Sequence, residues 1–145
     1  MITRSKKGVV RGFHIPISKS EGWKIITCVD GEIDDLTLDL RFDSPTYRFV
    51  QKINLRATDP KQILIAPGIA HGIQSITESM IVYSTELQNH KAQEISVNPN
   101  YYQNWSVNLP LCLLSEKDKR AVALDKIPRT NWNLIDSMKA FSRDK

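Results

Sequence analysis

Two strand-like runs, Ile25–Val29 and Glu32–Leu40, are separated by Asp30-Gly31 alone. Glycine accepts the positive φ that a two-residue turn demands, so this spacing predicts a β-hairpin. The second run alternates: Leu36, Leu38 and Leu40 fall on one face of an extended chain, and Thr37, Asp39 and Arg41 on the other. Short runs continue at Lys52–Leu55, Gln62–Ala66, Gly72–Ile76, Met80–Thr85 and Glu94–Val97, with a turn at Ser44-Pro45-Thr46 and a bend at Pro67-Gly68. Many short strands at close spacing predict an antiparallel sandwich or barrel.

Helix is confined to the end of the chain. Ser115 to Asp118 reads as a short helical turn, and Asn131 as the cap of a helix from Trp132 to Phe141 with Leu134, Ile135 and Met138 on one face. No repeat, linker or low-complexity tract divides the 145 residues, so residues 1–145 are expected to form one domain with a core large enough to need no disulfide or metal. Its apolar runs, such as Ile63 to Ala66, are far too short to span a bilayer. The basic N-terminus lacks the apolar stretch of a secretory signal. Cys28 and Cys112 sit among apolar neighbours, not in a redox or zinc pair, and read as buried, reduced thiols. These features lead to the expectation of a cytoplasmic location and no membrane partner. The net charge of +4 is spread along the chain without a basic stripe, so no nucleic-acid partner is expected.

The residues best suited to chemistry lie in Arg11-Gly12-Phe13-His14, with Lys24 ten residues on. Histidine titrates near neutrality. Between two cations it suits removal of a proton from carbon beside a carbonyl, because the cations hold the oxyanion that forms. A lone histidine on an apolar strand is ordinarily a hydrogen-bonded core residue, but Arg11 and Lys24 do not belong in a dry core. His71 stands in Ala66-Pro67-Gly68-Ile69-Ala70-His71-Gly72, which resembles the second half-motif of cupin barrels, where the histidine often binds metal. A metal site needs roughly three or four ligands. The segment that would supply the others holds only His14, followed by Ile15-Pro16, so His71 reads as a polar site residue and no metal is expected. His90 reads as a surface loop residue. Taken singly, Tyr83 is a half-buried strand tyrosine, Lys117 and Asp118 belong to a solvated turn, and Glu94 is an exposed strand end.

In order along the chain stand Lys7 to His14, Lys24 to Val29, Gly31 to Leu36, Asp39-Leu40-Arg41 with Ser44-Pro45-Thr46, and Ile65 to Gly72. Tyr83-Ser84-Thr85, Asn98-Pro99, Asn104-Trp105 and Leu114 to Asp118 follow. This ordered set resembles the dTDP-4-dehydrorhamnose 3,5-epimerase family over roughly Ser5 to Asp118. Members carry a longer segment before Lys7, so the chain reads as an N-terminally shortened relative. Two positions differ: Pro16 stands where the family has glutamine, and Leu87-Gln88-Asn89 where it has an aromatic pair.

The resemblance implies an all-β, cupin-type antiparallel barrel (jelly roll) that works without metal or other cofactor, as a homodimer. The substrate would be a nucleotide-diphosphate sugar, a 4-keto-6-deoxy sugar inverted at C3, C5 or both. His14 would be the base, Asp118 the carboxylate that holds it, Lys24 the cation at the C4 oxygen and Tyr83 the acid on the opposite face. Arg11, His71, Glu94 and Lys117 would bind substrate, and Asp35 would orient His71. A sugar-nucleotide 3,4-ketoisomerase could use the same base, and a non-catalytic cupin could bind sugar nucleotides.

Overall fold

The computed structural model describes residues 1–16, 23–85, 94–108 and 111–127. Ten strands dominate it: β1 (Ile2–Ser5), β2 (Val9–Pro16), β3 (Lys24–Asp30), β4 (Glu32–Asp39), β5 (Val50–Arg56), β6 (Gln62–Ile65), β7 (Ile69–Ser75), β8 (Ser79–Thr85), β9 (Glu94–Ser96) and β10 (Leu113–Leu114). One four-residue helix, α1 (Glu116–Lys119), follows β10. The strands form two sheets. One is ordered β1-β8-β3-β6; the other is β10-β2-β7-β4-β5, with β9 also paired to β2. Pairing is antiparallel throughout, except that β10 runs parallel to β2. This is the all-β, two-sheet architecture expected. The helix expected over Trp132–Phe141, and His90, lie outside the described residues.

Asp30-Gly31 does not close a hairpin. β3 pairs with β6 and β8, whereas β4 pairs with β5 and β7, so the chain crosses from one sheet to the other at this corner. Gly31 has φ +75°, and a Cβ there would sit 2.1 Å from the Glu78 carbonyl oxygen. The corner nests against the link between β7 and β8: Glu32 N–H donates to Thr77 Oγ1 at 2.9 Å, and Ile76 N–H donates to Glu32 O at 3.0 Å. Glycine is required, as the turn signal indicated, but for a close approach and not for a hairpin.

Two apolar clusters hold the fold. Between the sheets, Ile26, Cys28, Ile65 and Ile81 of one sheet meet Ile33, Leu55 and Ile73 of the other. Each fully buried isoleucine contributes about 1.5–3 kcal/mol of transfer free energy. The leucine stripe of β4 faces the other way. Leu36, Leu38 and Leu40 join Phe13, Ile15, Ala70 and Val97 on the outer face of the six-stranded sheet, covered by Tyr102, Trp105, Leu124 and Ile127. Gln74, wholly buried, fastens this cover: its Nε2 donates to Val107 O at 2.7 Å and its Oε1 accepts from Val107 N–H at 2.9 Å. With the leucines facing outward, the polar face of β4 points into the space between the sheets. The outer face of the four-stranded sheet has no such cover among the described residues, and Ile2, Ile25 and Leu64 are exposed there. Cys28 is buried as expected, whereas Cys112 is only partly so; both are free thiols.

Candidate active site

The inward faces of the two sheets part at one end to form a cleft of about 340 Å³. Arg11 and His14 of β2, His71 of β7 and Glu94 of β9 reach it from the six-stranded sheet, and Lys24 of β3 and Tyr83 of β8 from the four-stranded sheet. Register explains the convergence. His14 pairs with His71 and Arg11 with Ile73, so side chains of one parity on two neighbouring strands point the same way. Pairing shifts between Arg11 and His14, which brings both onto the inward face although they are three residues apart. Gly12 makes this possible. Its φ is +97°, and a Cβ would lie 2.4 Å from the His71 carbonyl oxygen, so only glycine lets β2 approach β7 here.

Asp118 stands behind His14. Its Oδ1 accepts from His14 Nε2 at 2.6 Å and from the Gly12 N–H at 3.4 Å, and its Oδ2 accepts from Ser115 Oγ at 2.7 Å. The carboxylate is almost fully buried, while His14 is a quarter exposed on the cleft side. Burial alone would raise the Asp118 pKa, but the hydrogen bonds from His14 and Ser115 outweigh it and hold the group below its ordinary value. An aspartate fixed on Nε2 leaves Nδ1 as the ring nitrogen able to accept a proton.

A second histidine–carboxylate pair lies beside the first. His71 Nε2 donates to Asp35 Oδ2 at 2.7 Å, and both side chains are buried. Asp35 Oδ1 has no hydrogen-bond partner among the described residues. The His71 ring meets the Tyr83 ring edge-on, with centroids 6.2 Å apart. Burial, reinforced by the Asp35 charge, pushes the Tyr83 phenol up to about 12. The phenol therefore keeps its proton at neutral pH.

Glu94 and Lys117 pair at 2.7 Å, and Lys117 does not itself line the cleft. Burial would raise the Glu94 pKa, but Lys117 chiefly, with His14 and Lys24, lowers it. The Arg11 Nε donates to Ser5 Oγ at 3.3 Å, and Ser5 is buried. Of the nine residues singled out from the sequence, six thus reach the cleft. Asp118 and Asp35 support two of them from behind, and Lys117 engages a third. The site also uses Ser5, Ser115 and Gly12, to which the sequence assigns no role there; the Ser-x-x-Asp spacing of a helix start is the one signal that points to Ser115. Among the described residues no three His, Cys, Asp or Glu side chains gather as a metal site would require.

A two-sheet β-fold whose cleft is lined by a carboxylate-held histidine from one sheet and a tyrosine from the facing sheet defines the class: an all-β protein of the jelly-roll kind. The sequence profile of the dTDP-4-dehydrorhamnose 3,5-epimerases matches residues 1–126. The chain is 35% identical over 120 residues to the dTDP-4-dehydrorhamnose 3,5-epimerase of Shigella flexneri, covering 80% of this chain and 65% of that protein. The crystal structure of the Sulfolobus tokodaii enzyme of the same name superposes with a TM-score of 0.80 at 30% identity, covering 89% of this chain and 72% of that one. A Legionella pneumophila 3,5-epimerase solved with dTDP-4-keto-L-rhamnose gives a TM-score of 0.80 at 28% identity, covering 88% and 69%. The chain belongs to the dTDP-4-dehydrorhamnose 3,5-epimerase family. It spans less than two thirds of the Shigella protein's length.

Proposed function

We propose that this protein epimerises a dTDP-linked 4-keto-6-deoxy sugar at C3, C5 or both by removing a proton next to the C4 ketone. The carrying observation is that His14, backed by Asp118, and Tyr83 line one cleft from opposite sheets. Inversion needs removal on one face and return on the other. His14 Nδ1 accepts the carbon-bound proton, and the electron pair moves to the C4 oxygen. The Lys24 ammonium stabilises the enolate, an electrostatic contribution of the oxyanion-hole kind. The Tyr83 hydroxyl then delivers its proton to the opposite face, and solvent restores Tyr83 and clears His14.

Arg11 holds a diphosphate oxygen, a task suited to its fixed planar donors. His71 contacts the sugar and Asp35 positions it. Glu94 contacts the substrate at the rim, where its ion pair with Lys117 holds it. The chemistry asks for no metal or redox cofactor, because enolate formation needs only a base and a cation. The assembly is a homodimer, with a second copy covering the apolar outer face of the four-stranded sheet where Ile2, Ile25 and Leu64 are exposed. The protein works in the cytoplasm, where its two thiols stay reduced. No helix among the described residues is long and apolar enough to cross a membrane.

Incubation with dTDP-4-keto-6-deoxyglucose, followed by NMR of the sugar, tests the assignment. Inverted C3 or C5 with the ketone still at C4 supports it. A ketone moved to C3 would make the protein a ketoisomerase, and binding without turnover would make it a lectin-like cupin.

A further inference from the structure

Asp118 can fix His14 only if its own carboxylate is fixed. α1 is one turn long, too short to be rigid by itself. Yet Asp118 holds three donors at once. The donor that comes from its own turn is Ser115, which precedes the helix as its N-cap. The Ser115 oxygen accepts from the Asp118 N–H at 3.1 Å, and its single proton is given to Asp118 Oδ2 at 2.7 Å. One hydroxyl thus ties the backbone and the side chain of the same residue into a closed ring. That ring sets the carboxylate's rotation, and with Oδ2 taken, Oδ1 is the oxygen presented to His14 and to the Gly12 N–H. An ordinary capping box spends the third helical side chain on the cap's own N–H; here it is spent on the histidine.

We infer that Ser115 is a positioning residue for proton transfer: by donating to Asp118 Oδ2 it keeps Oδ1 on His14 Nε2, and so keeps Nδ1 free to act as the base. The inference rests on the proposed role of His14, but its signature in the ring can be read without substrate. The other charged groups that line the cleft with His14 are Arg11, Lys24, His71 and Glu94, the last paired with Lys117.

Ser115→Gly separates the two uses of the hydroxyl, because glycine caps a helix almost as well as serine but offers no donor. Ser115→Thr retains both. In Ser115→Gly we expect a melting temperature close to wild type, kcat reduced by roughly tenfold with KM within about twofold, and restoration in Ser115→Thr. Nitrogen-15 NMR of the His14 ring should show one tautomer, protonated at Nε2, in wild type and Ser115→Thr, and a mixture of both in Ser115→Gly. A Ser115→Gly protein with wild-type kcat and a single tautomer would overturn the inference. So would an unchanged Ser115→Gly beside a Ser115→Ala that loses stability and activity together, since the serine would then be a helix cap only. If the wild-type protein turns over no sugar nucleotide, the functional assignment fails, while the His14 spectra still decide the role of Ser115.

Discussion

His14 Nε2 lies 2.6 Å from Asp118 Oδ1, although 104 residues separate the two in sequence. One belongs to β2 and the other to α1, and the parallel pairing of β10 with β2 delivers α1 to the back of the histidine. The contact decides which imidazole nitrogen carries the proton. Asp118→Asn keeps the size of the side chain, but its amide can donate where the carboxylate only accepts. The wrong tautomer then competes, and kcat should fall by about 10²–10⁴ with little change in melting temperature. Steady-state kinetics beside thermal denaturation check this.

In the proposed mechanism Tyr83 and His14 act on opposite faces of the sugar, so losing one should not abolish what the other does. Tyr83→Phe removes the phenol that burial holds in its protonated form. His14 can still remove a proton and return one to the same face. The expected outcome is deuterium uptake from heavy water next to the ketone, with inversion reduced about 100-fold or more. NMR distinguishes exchange with retention from exchange with inversion.

Asp39 reports on the fold and not on the cleft. Burial would raise its pKa, but the Arg41 guanidinium at 2.7 Å, with Thr46 and Ser44, holds it down to about 2. Its folded value lies below the unfolded one, so its stabilisation is fully present above about pH 4, falls away as pH drops toward 2, and is absent below both values. Asp118 and Glu94, also lowered, add stability of the same sign. Asp39→Asn should cost on the order of 2 kcal/mol at pH 7 and close to nothing below pH 2. Urea titrations at the two pH values give the difference directly.

The strand pattern was largely legible because period-2 alternation and Gly or Pro turns act locally. β1 and β10 were not legible: Ile2–Ser5 and Leu113–Leu114 are too short to show a period, and they are strands only because β8 and β2 present edges to them. The Asp30-Gly31 corner was legible as a glycine turn but not as a change of sheet, since which strands pair is a non-local matter. The leucines of β4 advertised a buried face without saying that the cover would come from Tyr102, Trp105 and Leu124. In the site, the family resemblance implied both the residues and the pairings of His14 with Asp118 and of His71 with Asp35, whereas no local pattern encodes the register that brings them together. Ser115 is legible as the start of a helical turn, but its hydrogen bond to the Asp118 carboxylate is not, because no sequence pattern shows where that carboxylate points.

The most direct measurement is deuterium incorporation from heavy water into a dTDP-linked 4-keto-6-deoxy sugar, comparing wild type with His14→Ala. The wild-type protein should place deuterium at C3, C5 or both and accumulate inverted product. The His14→Ala protein, with its fold verified by circular dichroism, should do neither above the uncatalysed rate. Wild-type protein that binds the sugar nucleotide without exchanging any proton, or a His14→Ala protein that exchanges as fast as wild type, would contradict the assignment of His14 as the base.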